Sequence, residues 1–115
     1  MFDPNSVVKR LGELSRMLDA ATLEAAQLDE AAVRAKARHE VEYARAYLTG
    51  EGSVEDRKQA AKLATEREAL DADIAAQRLR ACQERIRTLR VQIDVGRSLN
   101  AAQRSEWAAA GVVNQ

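Results

Sequence analysis

The stretch Leu79–Leu99 constrains this chain most, because its apolar residues Leu79, Cys82, Ile86, Leu89 and Ile93 recur at alternating steps of three and four. That spacing keeps one side of a long helix against a partner and specifies a coiled-coil seam. A second seam lies upstream, where Val7, Leu11, Leu14, Leu18, Ala21, Ala25, Leu28, Ala32 and Ala35 follow the same steps. Past Ala35 this phase reaches His39 and Glu42. The apolar track is therefore expected to pass to Ala37, Val41, Ala44 and Leu48, as a nearly straight helix drifts against a seven-residue repeat.

The strongest punctuation inside the chain is Thr49-Gly50-Glu51-Gly52-Ser53. Asp3 and Pro4 are suited to cap and open helix one at about residues 4–48, and Gly50 is suited to the left-handed residue that closes it. Ser53, followed by Glu55 and Asp56, starts helix two, expected at about 54–98 after a turn at 49–53. Each helix then measures roughly 68 Å at 1.5 Å per residue. A short third helix is expected at about 101–110, with Val112–Gln115 frayed.

Two long helices joined by so short a turn fold back antiparallel, and facing residues then have numbers with a constant sum. A sum of 103 to 104 pairs Leu14 with Leu89, Leu18 with Ile86, Leu11 with Ile93, Ala21 with Cys82, Leu28 with Ala75, Val7 with Gly96 and Val41 with Leu63. The two seams, read independently, agree on one register. Opposed charges follow it: Glu13 faces Arg90, Asp19 faces Arg85, Arg38 faces Glu66 and Glu42 faces Lys62. Tyr43 and Tyr47 are expected to close the turn end around Val54.

The seam is short of bulk. Much of the apolar content is alanine, with only one Phe, one Trp and two Tyr, while 31% of residues are charged. Such a composition belongs to long helices and coiled coils and leaves a lone two-helix hairpin marginal. Val8, Leu23, Val33, Ala72, Ala76, Val91 and Val95 lie off the seam and suit a second packing surface. The expected fold class is all-α: a long antiparallel two-helix coiled-coil hairpin with a short C-terminal helix, one domain over 1–115, assembling as a homodimer or higher helical bundle.

Chemistry-bearing residues are sparse. There is one His, one Cys and no glycine-rich phosphate loop, so no nucleophile and base can be assembled, and neither enzyme activity nor a cofactor is expected. His39 and Glu42 share a helix face and could contribute to a metal site in a bundle, but the facing segment offers alanines and Lys62, which favours a polar layer that fixes register. We expect no metal. Cys82 on the seam reads as a small buried hydrophobe.

Arginine is the stronger signal. Eighteen basic side chains balance eighteen acidic ones, which removes any bulk attraction to polyanions, yet between Arg78 and Arg104 seven arginines stand against only Glu84 and Asp94. Arg90, Arg97 and Arg104 repeat every seven residues and line one side of the helix; with Arg87 and Trp107 they form the candidate face for nucleic acid or a protein partner. The competing reading pairs Arg78, Arg85 and Arg90 with acids of helix one. Trp107 reads as a bundle cap or, as the alternative, a partner anchor. Gly96 either permits a close approach opposite Val7 or marks a kink.

The run Arg85-Ile86-Arg87-Thr88-Leu89-Arg90-Val91-Gln92-Ile93-Asp94-Val95-Gly96-Arg97-Ser98, with Asn100 to Glu106, the opening Asp3-Pro4-Asn5 and Arg57-Lys58, resembles small uncharacterised helical-hairpin proteins of actinobacterial phages and prophages. The resemblance covers most of the chain and carries no assigned activity. It implies a phage accessory protein associated with DNA recombination or replication. The chain has no apolar run approaching the roughly 20 residues of a membrane span and no secretory segment, so a cytoplasmic protein of the bacterial host is expected, without membrane contact. Three functions stay open: an interaction protein contacting a phage partner, a nucleic-acid-binding module, and an inhibitor or adaptor aimed at a host protein.

Overall fold

The computed structural model describes residues 4–113, with side chains from 5 to 111. Every regular element among them is helical: α1 (Pro4–Thr49), α2 (Val54–Ala64) and α3 (Glu66–Val113). The all-α expectation holds. The cap expected from Asp3, and Asn114 and Gln115 of the expected frayed end, lie outside the described residues, whereas Val112 and Val113 complete α3.

Contacts gather into two compact units: the first holds residues up to Leu23 together with Gln83 onward, the second Glu24–Cys82. In the first unit α1 and α3 run antiparallel. Leu14, Ala21, Leu89 and Ile93 are buried in one cluster, with Leu11, Leu18 and Ile86 partly buried against it. These are the seam residues in the expected register, and they carry most of the bulk the chain has. Gly96 lies inside α3 without interrupting it, and a Cβ placed there would sit 2.7 Å from Leu11 Cδ2. Glycine therefore serves a close approach, but to Leu11 and not to Val7.

The second unit is built on smaller side chains. Leu28, Leu79 and Ala25 are half-buried, Ala35 and Ala61 are buried, and Cys82 is buried as a free thiol. Here the expected passage of the α1 track to Ala37, Val41, Ala44 and Leu48 fails: all four are exposed, as is Leu63, the expected partner of Val41. His39, Glu42 and Ala46 stay half-buried instead, so the original phase continues. His39 and Thr65, whose numbers sum to 104, line one groove, in keeping with the same register. The phase is set by helix geometry; polar residues follow it by burying their stems.

The turn differs in detail from its sequence reading. The left-handed residue is Gly52, with φ of 96°, and not Gly50. Gly50 donates its N–H to Tyr47 O at 3.3 Å, continuing the last turn of α1. Ser53 opens α2 through a full capping box: its Oγ accepts from the Asp56 N–H at 3.1 Å, and Asp56 Oδ2 accepts from the Ser53 N–H at 3.1 Å. Val54 is exposed, so the tyrosines do not close around it. The stem of Arg57 approaches Gly50 in its place.

Helix two is not continuous from 54 to 98. It is interrupted at Thr65, whose φ of −115° and ψ of 18° depart from the α-helical region. The Thr65 Oγ1 and backbone N–H both donate to Ala61 O, at 2.7 and 3.1 Å. Such back-bonding by a threonine hydroxyl locally distorts a helix. Half-buried Arg57, buried Ala61 and Thr65, and half-buried Glu68 step by four, four and three, so the interruption takes up one extra residue in the repeat. The expected separate helix at 101–110 is absent as such, because α3 runs through Ser98 and Asn100 to Val113 without a break. Nothing in Asn100-Ala101-Ala102-Gln103 removes a backbone donor, so the helix has no reason to stop.

Candidate functional site

The arginine-rich half of α3 forms the candidate site. Helical geometry of 1.5 Å and 100° per residue sets Arg90, Arg97 and Arg104 along about 21 Å of one flank, drifting by about 40° over that length. All three are exposed. Among the described residues none of the three side chains makes an ion pair or a hydrogen bond. Arg87 is exposed too, but is paired with Glu84 one turn earlier.

The expected cross-helix partner of Arg90 is engaged elsewhere. Glu13 is bound by Arg10 at 3.2 Å, and Glu42 is held by Arg45 at 2.9 Å in place of Lys62. Arg34 and Glu30 form another such pair at 2.9 Å. A partner one turn away on the same helix is within reach without crossing the seam, which explains why these carboxylates choose neighbours. Each exposed pair contributes little stability, about 0 to 1 kcal/mol. The consequence for the site is that Arg90 keeps its charge available, against the reading that neutralised it.

Trp107 is 70% exposed and packs against nothing within its own chain. It lies on the exposed far part of α3, four residues past half-buried Gln103. The candidate face thus comprises three unpaired cations and, beyond them, one solvent-facing aromatic.

The second unit holds the other polar grouping. His39 and Tyr43 meet edge to face with ring centroids 6.4 Å apart, and with Lys62, Thr65, Glu66 and Ala69 they border a groove of about 500 Å³ beside the helix interruption. Outside the groove lining, Arg57 Nε and Glu68 Oε2 of this unit are buried without hydrogen-bond partners. Among the described residues no three His, Cys, Asp or Glu side chains converge to hold a metal ion. His39 and Glu42 are half-buried on the seam as a polar layer.

Sequence reasoning undervalued one surface. Val91, Val95 and Leu99 are exposed and line a groove of about 450 Å³ with Val7, Leu11 and Leu14. Val91 and Val95 are among the off-seam residues of the sequence; Leu99 is assigned to neither surface there. The four-residue spacing of the three was the available signal.

No protein-family model, curated protein or solved structure matches the chain. What defines it is the fold together with the two flanks of α3, one cationic and one apolar. No helix among the described residues is long and apolar enough to cross a membrane.

Proposed function

We propose that this chain is a non-enzymatic interaction protein whose arginine flank on α3 binds a polyanion, the phosphate backbone of nucleic acid, in support of phage DNA recombination or replication in the bacterial cytoplasm. The observation that carries this reading is the unpaired state of Arg90, Arg97 and Arg104 at heptad spacing. Neighbouring arginines on the flank stand about 10 Å apart, close to three phosphates of a single strand of duplex at about 3.4 Å each. The phage setting rests on the resemblance alone.

Binding of labelled single- and double-stranded DNA across a salt series tests the proposal. Three phosphate contacts predict a slope of log affinity on log salt of about −2 to −3, and replacing Arg90, Arg97 and Arg104 together by Ala should remove it. Absence of binding at low salt, or binding that the triple variant retains, refutes the proposal.

A second reading is favoured by the 70% exposure of Trp107: an inhibitor or adaptor that anchors on a host or phage protein through this ring. It predicts a salt-tolerant complex lost in Trp107→Ala and kept in the arginine variant.

A further inference from the structure

The apolar groove of the first unit lies on the opposite flank of α3 from the arginines. At 100° per residue, the mean direction of Val91, Val95 and Leu99 differs from that of Arg90, Arg97 and Arg104 by about 160°. Val91, Val95 and Leu99 remain 61%, 54% and 42% exposed, above a floor formed by Val7, Leu11 and Leu14. The two surfaces can therefore act independently.

We propose that this groove face seats a second copy of the chain, in a two-fold antiparallel pair centred near Val95. A two-fold contact lays a patch on its own copy, so any net charge on the patch repels itself. The arginine flank fails that condition. The groove flank meets it: Arg10 is its charged lining residue, and its guanidinium is neutralised by Glu13 at 3.2 Å.

The size of the face also fits a second copy. The α1 stretch of this unit, Pro4–Leu23, spans about 30 Å, and two helices packed 8–10 Å apart present a face about 20 Å wide. That is about 600 Å² in plan, near the roughly 800 Å² of accessible surface each partner buries in a standard stable interface. A single foreign helix would cover half of it. The packing needs the second layer as well, because no large side chain among the described residues is fully buried and the groove residue Leu11 remains half-exposed to solvent. A second helical pair laid on this face converts two layers of side chains into a four-helix core.

Sedimentation equilibrium over a concentration series up to about 100 μM tests the pairing. The full chain should sediment at twice its 12.7 kDa. Val95→Glu, which sets two carboxylates against each other at the two-fold axis, should weaken the dimer on the order of 100-fold with helicity unchanged by circular dichroism. Val8→Glu, at an equally exposed position outside the groove, should leave the dimer intact. If Val95→Glu loses helicity, the paired Val91→Ser and Val95→Ser variant takes its place, since it introduces no charge. Wild-type chain at 12.7 kDa throughout, a mass above the dimer, an undisturbed dimer in the groove variants, or equal dissociation by Val8→Glu would each overturn the proposal.

Discussion

Replacing Gly96 by Ala probes the closest helix approach in the first unit. In an open helix interior, Gly→Ala stabilises by about 1 kcal/mol. Here the added Cβ falls 2.7 Å from Leu11 Cδ2 and 3.3 Å from its Cγ, against an optimum of roughly 3.5–4.0 Å between carbons. Leu11 must move its methyl by about 1 Å, at a cost of about 1–2 kcal/mol in rotamer strain and lost packing. Gain and cost nearly cancel. In wild type the substitution should leave stability unchanged or lower it by up to about 1 kcal/mol. In a Leu11→Ala background the obstruction is gone, and the same substitution should stabilise by about 1 kcal/mol, or about 4 °C in Tm. The double-mutant cycle therefore carries a coupling of about 1–2 kcal/mol, read from urea melts followed by circular dichroism. All four proteins must be compared at one concentration, since self-association would enter the apparent stability. Equal stabilisation by Gly96→Ala in both backgrounds would refute the close approach and the packing of Leu11 that goes with it.

Two other outcomes discriminate among residues of like type. Gly52→Ala should lower stability by more than about 1 kcal/mol, because φ is positive there and the Cβ meets Asp56 Oδ2 at 2.8 Å, while Gly50→Ala, with no positive φ, should cost less in the same thermal melt. Leu14→Ala removes a side chain 3% exposed and should cost about 3 kcal/mol in a denaturant melt, whereas Leu63→Ala, at 76% exposed, should stay within about 0.5 kcal/mol. Equal costs for the two leucines would contradict the seam.

The register was legible because it depends only on spacing. Leu11, Leu14, Leu18, Ile86, Leu89 and Ile93 alternate in steps that leave one antiparallel alignment, and their cluster has that alignment. The phase near the turn is not legible from hydrophobicity, because helix geometry decides it there. Val41, Leu48 and Leu63 are apolar and exposed, while His39, Glu42 and Arg57 hold the seam. The Thr65 interruption was hidden for a related reason. Alanines at 60, 61, 64 and 69 make neighbouring helix faces look alike, so a single extra residue leaves no apolar gap. Whether Arg90 pairs across the seam is not legible in the sequence, because Glu13 has Arg10 one turn away. The exposure of Trp107 and the groove beside Val95 depend on which residues lie opposite and how large they are, and no local pattern encodes that.

The capping box at Ser53 and Asp56 bears on the order of events in folding. It joins residues three apart and needs almost no chain closure, whereas Leu14 and Leu89 can meet only after most of the chain has been drawn into a loop. Local contacts form first when closure entropy limits the rate, so the hairpin turn is the natural nucleus and the leucine cluster the late step. Loss of the Ser53 hydroxyl should then slow refolding, while truncation of Leu89 should chiefly speed unfolding. The chain would thus start folding from its turn and derive its kinetic persistence from its far end.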